Sequence, residues 1–244
     1  MMIKSLIPFA LFLIGICSCN SSRKETKATQ SATYPDVQIA GAMRDVMWKG
    51  ELAGKISLDS IADREGLYGL GPESFLTGEV MINNGVGYVS KVTSDTTMIV
   101  EKRLDITAPF FVYTRVKEWF DYELPKRVKT IKALEEYIDS LTTDRKRPFA
   151  FKLTGQVSQA KIHIQDLPEG TKVSSPAEAH QGQVTYPLNN RAVEIIGFFS
   201  TEHQGVFTHH DSYLHMHLIT SDERMMGHVD FLDISQMKLY LPKS

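Results

Sequence analysis

His215, His217 and His228 are the residues of this chain whose type and spacing best suit chemistry. They stand as His215-Met216-His217, then a ten-residue gap, then Gly227-His228-Val229. Around the first pair, apolar Leu214, Met216 and Leu218 alternate with the histidines. A period of two belongs to a β-strand, so both imidazoles share one face and the apolar side chains take the other. Thr220 to Gly227 reads as a turn into a second short strand, Gly227 to Leu232, which brings His228 beside the pair. Three neutral imidazoles converging from a hairpin suit a transition metal and leave one coordination position for water or substrate. The alternative is three unrelated surface or core histidines.

The elements that must hold this hairpin are mostly strands. Asn84-Gly85 lies between Phe75 to Ile82 and Val86 to Val92, and both turn residues tolerate positive φ, so a β-hairpin is predicted. Thr97 to Val100, Ile106 to Val116, Pro148 to Val157, Lys161 to Ile164, Gln183 to Tyr186, Ala192 to Phe199 and Met237 to Leu241 also read as strands. Helical spacing is expected in Asp36 to Lys49 and in a short helix capped by Ser57. The clearest helix carries Ile131, Leu134, Ile138 and Leu141 on one face, with Lys132, Glu135, Glu136 and Asp139 off it. Gln165 to Gly182 is loop-rich. The fold class is therefore α+β, mixed and β-rich, with two packed sheets and a few helices. The sheets divide the folded region, 37–244, into halves of about 37–145 and 146–244.

A 42% hydrophobic composition supports a packed core, and a net charge of -2 with no basic stripe argues against nucleic acid as a partner. Residues 1–19 read as a lipoprotein signal peptide: Lys4, the apolar run Ser5 to Ile16, then Ile16-Cys17-Ser18-Cys19. Cys19 is the expected lipidated residue; Cys17 is the weaker acceptor because bulky Ile16 precedes it, and an ordinary cleaved secretory signal is the alternative. Residues 20–36 are polar and aperiodic, a flexible tether. The expected location is a bacterial cell envelope, with the domain lipid-anchored and facing the periplasm or exterior. Cys17 and Cys19 are the only cysteines, so the mature domain has neither disulfide nor thiol chemistry.

The order of motifs resembles the α-acetolactate decarboxylase family from about Gly41 to Pro242. The resemblance is carried by Gly69-Leu70-Gly71, Thr77-Gly78-Glu79-Val80, Pro148-Phe149-Ala150-Phe151-Lys152-Leu153-Thr154-Gly155, Ile196-Gly197-Phe198, His215-x-His217 and Gly227-His228-Val229. It implies zinc held by His215, His217 and His228, and loss of carbon dioxide from 2-acetolactate, a 2-hydroxy-3-keto acid, to give acetoin. A hydroxyl and a ketone on adjacent carbons can both reach an open Lewis acid, which stabilises the enediolate left behind. A positioned acid must then protonate carbon. Glu79 aligns with the family's active-site glutamate and is the candidate. The alternative for Glu79 is a solvated strand residue.

Two departures accompany the resemblance. The family places an arginine near the substrate carboxylate; the aligned segment is Lys161-Ile162-His163, so His163 takes that place without a bidentate fork. The family also has a C-terminal glutamate that reaches the metal, where this chain stops at Ser244, so that contact is expected to be missing or supplied elsewhere. His209, His210 and Asp211 are candidate replacements or a polar loop, Glu202 and His203 weaker ones, and His180 is expected to be exposed. A homodimer is implied. The other functions left open are a zinc hydrolase and a non-catalytic lipoprotein that binds metal or a small acid.

Overall fold

A computed structural model describes residues 36–243. The expected signal peptide, the lipid-bearing Cys19 and all of the tether before Asp36 lie outside the described residues. In chain order the elements are β1 (Gln38–Ala40), α1 (Met43–Lys49), β2 (Ile56–Ser57), β3 (Leu67–Pro72), β4 (Glu79–Asn83), β5 (Val86–Ser94), β6 (Thr97–Lys102), β7 (Thr107–Ala108), β8 (Phe111–Arg115) and β9 (Trp119–Glu123). There follow α2 (Ile131–Leu141), β10 (Phe149–Ile164), α3 (Pro176–Ala179), β11 (Val184–Phe199), β12 (Leu214–Thr220) and β13 (Met226–Pro242).

The strands form two main sheets, as a β-rich α+β chain should. One is six-stranded and antiparallel, in the order β1-β8-β3-β4-β5-β6. The other runs β10-β11-β12-β13-β9, and β10 also pairs with β13, so β10 to β13 close into a ring. β2 and β7 form a small separate pair. The sheets pack through one apolar layer, with Leu70, Met81 and Val112 from the first against Ile196, Phe198, Ile219 and Met226 from the second. A second core lies inside the ring, where Phe151, Leu153, Ile162, Ile195, Leu218 and Leu239 pack under Leu134 and Ile138 of α2.

Local chemistry explains most boundaries. Asn84 and Gly85 turn the β4–β5 hairpin with φ of 49° and 83°. Thr130 caps α2 by accepting a hydrogen bond from the Ala133 N–H at 3.2 Å. Gly197 lets the fully buried Phe151 ring lie on its backbone, since a Cβ there would sit 2.2 Å from the ring. Glycine at 197 therefore lets β10 and β11 press together beneath the histidine strand.

Several expected elements change. The helix predicted over Asp36 to Lys49 begins only at Met43, because 38–40 pair with β8. The strand predicted from Phe75 starts at Glu79; Ser74–Leu76 is a 3-10 turn in which Phe75 and Leu76 have φ of 61° and 56°. Pairing along their whole length fuses the predicted pieces of β10, of β11 and of β13 into single strands of 16, 16 and 17 residues. β3, where no strand was expected, is a fully buried strand.

Candidate metal centre

β12 places Leu214, Met216 and Leu218 in the core of the ring. Alternation therefore turns His215 and His217 to the opposite face, toward the first sheet. His228 is the register partner of His217 on β13. His163 on β10 is in turn the register partner of His228. The ring centroids lie 5.1 Å apart for His215–His217, 5.1 Å for His215–His228 and 5.5 Å for His217–His228. The nitrogens they offer fall within 4.8 Å of one another, and all three residues are buried.

Burial of so many imidazoles has a cost that identifies their purpose. His215 Nδ1 and both ring nitrogens of His217 are buried without a hydrogen-bond partner. An unpaired buried polar atom is expensive, and one nitrogen from each of the three rings falls in a common place. Burial, with the neighbouring histidines second, pushes His215 and His228 well below the ordinary histidine pKa. Burial lowers His217 to about 3. The cluster is therefore a set of neutral nitrogen donors, the form in which imidazole binds a metal. These residues fit a divalent ion.

Glu79 heads β4 and reaches across from the first sheet, with Oε2 3.5 Å from His217 Nε2. Its Oε1 accepts a hydrogen bond from the Gln165 N–H at 3.4 Å. It is only 3% exposed. Burial raises its carboxyl well above the usual carboxylate range, which favours the protonated form. His163 is buried too, and its Nδ1 lies 2.6 Å from Asp230 Oδ1. Its ring is 4.7 Å from that of His228. All five residues singled out by sequence thus meet at the interface of the two sheets.

The loop before β12 is divided. His209 sits 5.3 Å from His228, ring to ring, and lines the same cavity. His210, Asp211 and Glu202 face solvent. His203 stacks on Phe207 and bonds Ser200 instead, at 2.8 Å. His180 is exposed, as expected, yet part of it lines the cavity. Two residues were not found from sequence. Asp230 orients His163, and lies two positions beyond His228. Glu135, expected off the buried face of α2, is buried and accepts from the Tyr213 N–H at 2.7 Å and from Ser212 at 3.2 Å. It anchors the chain two residues before His215.

The cavity over the histidines holds only about 30 Å³ and is walled by Glu79, His163, Gln165 and His209 on its polar side and Met43, Met47, Leu76 and Phe110 on its apolar side. A larger groove, about 810 Å³ along Gly50 to Lys55 and Leu167 to Thr171, contains none of these polar residues.

Residues 41–243 match the sequence pattern of alpha-acetolactate decarboxylase. The chain belongs to that family. No curated protein matches it. Among solved structures, alpha-acetolactate decarboxylase from Bacillus subtilis strain 168 is similar, with a TM-score of 0.71 at 20% identity over 85% of each chain. A Staphylococcus aureus protein of unknown function, described as similar to alpha-acetolactate decarboxylase, gives 0.72 at 17% over 85% of each chain. At these identities the likeness shows a shared fold.

The depressed histidines predict how stability depends on pH. In the unfolded chain they take up protons below their ordinary value of 6.5; in the fold they resist until far lower, about 3 for His217. Their contribution is therefore complete above about pH 6.5 and is lost as pH falls from there toward 3. Glu79 acts in the opposite sense, favouring the fold below its ordinary 4.5 and losing that as pH rises. With three groups against one, chelator-treated protein should lose a few kcal/mol between pH 7 and pH 5 in urea titrations. A flat or rising profile would contradict the neutral cluster.

Proposed function

We propose that this family member is a zinc-dependent decarboxylase of 2-acetolactate or a close 2-hydroxy-3-keto acid, giving acetoin and carbon dioxide. The observation that carries the reading is the buried carboxyl of Glu79 beside a buried cluster of three imidazoles at the sheet interface. His215, His217 and His228 would hold the ion, and zinc suits three neutral nitrogen donors. When bound, zinc supplies a Lewis acid that stabilises negative oxygen as carbon dioxide departs.

The chain's own residues do the rest. Glu79, whose carboxyl burial biases toward the protonated form, would hold the proton that must reach carbon once the carboxylate has left. Asp230 fixes the His163 ring through Nδ1. His163, held in this way, is placed to offer one hydrogen bond to a substrate carboxylate oxygen. A single donor orients less firmly than an arginine fork. Met43, Met47, Leu76 and Phe110 supply an apolar wall that excludes water. On this reading the leader and a lipid on Cys19 hold the enzyme at the cell envelope.

The reading is tested by offering racemic 2-acetolactate to zinc-loaded protein and measuring acetoin and carbon dioxide, with a panel of esters and amides alongside. Ester cleavage without acetoin would instead favour a zinc hydrolase.

A further inference from the structure

The cavity over the histidines is small, about 30 Å³, and a five-carbon keto acid needs several times that. Two outer clefts abut it. One, of about 410 Å³, touches the site only through His209 and His228, and its charged rim sets Lys132 against Glu135, Asp211 and Asp230. Lys132 is already paired with Glu135 at 2.8 Å, which leaves a negative opening that repels a carboxylate. The other, of about 180 Å³, shares Met43, Met47, His180 and His209 with the inner cavity. Those four side chains are the partition between them.

Arg44 is the one lysine or arginine among the residues lining this second cleft. Among the described residues its guanidinium has no ion pair or hydrogen bond, and it faces solvent. Its backbone is fixed nonetheless. The Met43 N–H donates to Val206 O at 2.7 Å and the Arg44 N–H to Gly205 O at 2.9 Å. These two bonds staple the loop that carries His209 to the start of α1, so the backbone at Arg44 is held beside the partition.

We propose that the cleft between α1 and the 205–210 loop is the vestibule through which a small 2-hydroxy acid reaches the metal centre, and that Arg44 at its mouth is the specificity-determining residue that recruits the carboxylate. The proposal rests on the decarboxylase reading for the identity of the acid. The charge supplied by Arg44 acts before the partition opens; His209 and His180 must then turn aside to join the two cavities. An exposed cation of this kind raises association with an anion and loses its effect as salt screens it.

The test uses zinc-loaded full-length protein and an unreactive probe, 2-hydroxy-2-methylpropanoate, with its neutral amide as the control, followed by calorimetry. Arg44→Gln should weaken the acid about fivefold at low salt, leave the amide unchanged, and keep zinc content at the native level. Arg44→Lys should restore most of the acid affinity, and Lys49→Gln, one turn on and outside the cleft, should change nothing. Equal acid affinity in Arg44→Gln and native protein, equal loss for acid and amide, or no binding of the acid to native protein would each overturn the vestibule. Acetolactate turnover is read separately. Acid binding that depends on Arg44 without any acetoin would sink the decarboxylase reading and leave the vestibule standing. Acetoin formation with an unchanged KM in Arg44→Gln would do the reverse.

Discussion

His217→Ala is expected to abolish metal binding. His217 is completely buried between β11 and β13, with its partner His228 directly across the strand pair. Alanine removes one of three nitrogen donors and leaves a void at the point that Glu79 reaches from the far sheet. Losing one ligand from a site of this size should weaken zinc on the order of 10³-fold, so dialysed protein should carry almost none. The fold should persist, because Leu214, Met216 and Leu218 on the other face of β12 keep their places in the ring core. Elemental analysis and circular dichroism of the same preparation check both halves. Native zinc content in the variant would mean the histidines are not the ligands.

Glu79→Gln is expected to separate binding from catalysis. Glutamine matches the shape of a protonated glutamate and carries no charge. Burial pushes the Glu79 carboxyl well above its ordinary range, so an uncharged replacement should cost little stability and leave zinc in place. What glutamine lacks is a transferable proton. Loss of a positioned general acid typically lowers turnover by about 10²–10⁴-fold, and the fall should lie in kcat rather than in KM. If turnover survives, the proton comes from elsewhere and Glu79 is a packing residue. If zinc is lost with it, Glu79 belongs to the metal's ligands.

The histidine face was legible because its signal is local. Alternation of Leu214, Met216 and Leu218 with His215 and His217 sets one strand face by geometry alone, and the structure keeps it. The Asn84-Gly85 hairpin and the span of α2 were readable for the same reason. Glu79 was a different case. Nothing in its neighbourhood separates a catalytic carboxylate from a solvated one, and only the family resemblance singled it out. Its environment is made by Gln165 and His217, both distant in sequence. Asp230 and Glu135 escaped notice because their partners, His163 and Tyr213, lie far along the chain and meet them only after the ring has closed. The helix pattern of α2 even argued against Glu135, since it stands off the apolar stripe; two hydrogen bonds to the chain before β12 account for its burial. The left-handed turn at Phe75 and Leu76 was hidden because neither residue favours positive φ. Tertiary packing imposes it, and it delivers Leu76 to the cavity wall and Glu79 to the head of β4.

The central claim is that the ion held by these histidines carries out the decarboxylation. Its most direct test is acetoin formed from 2-acetolactate, measured on protein stripped with chelator and reloaded with zinc in steps. The rate should rise in proportion to zinc bound per chain and pass through zero at zero metal. Full occupancy of the three-histidine site with no acetoin would contradict the account.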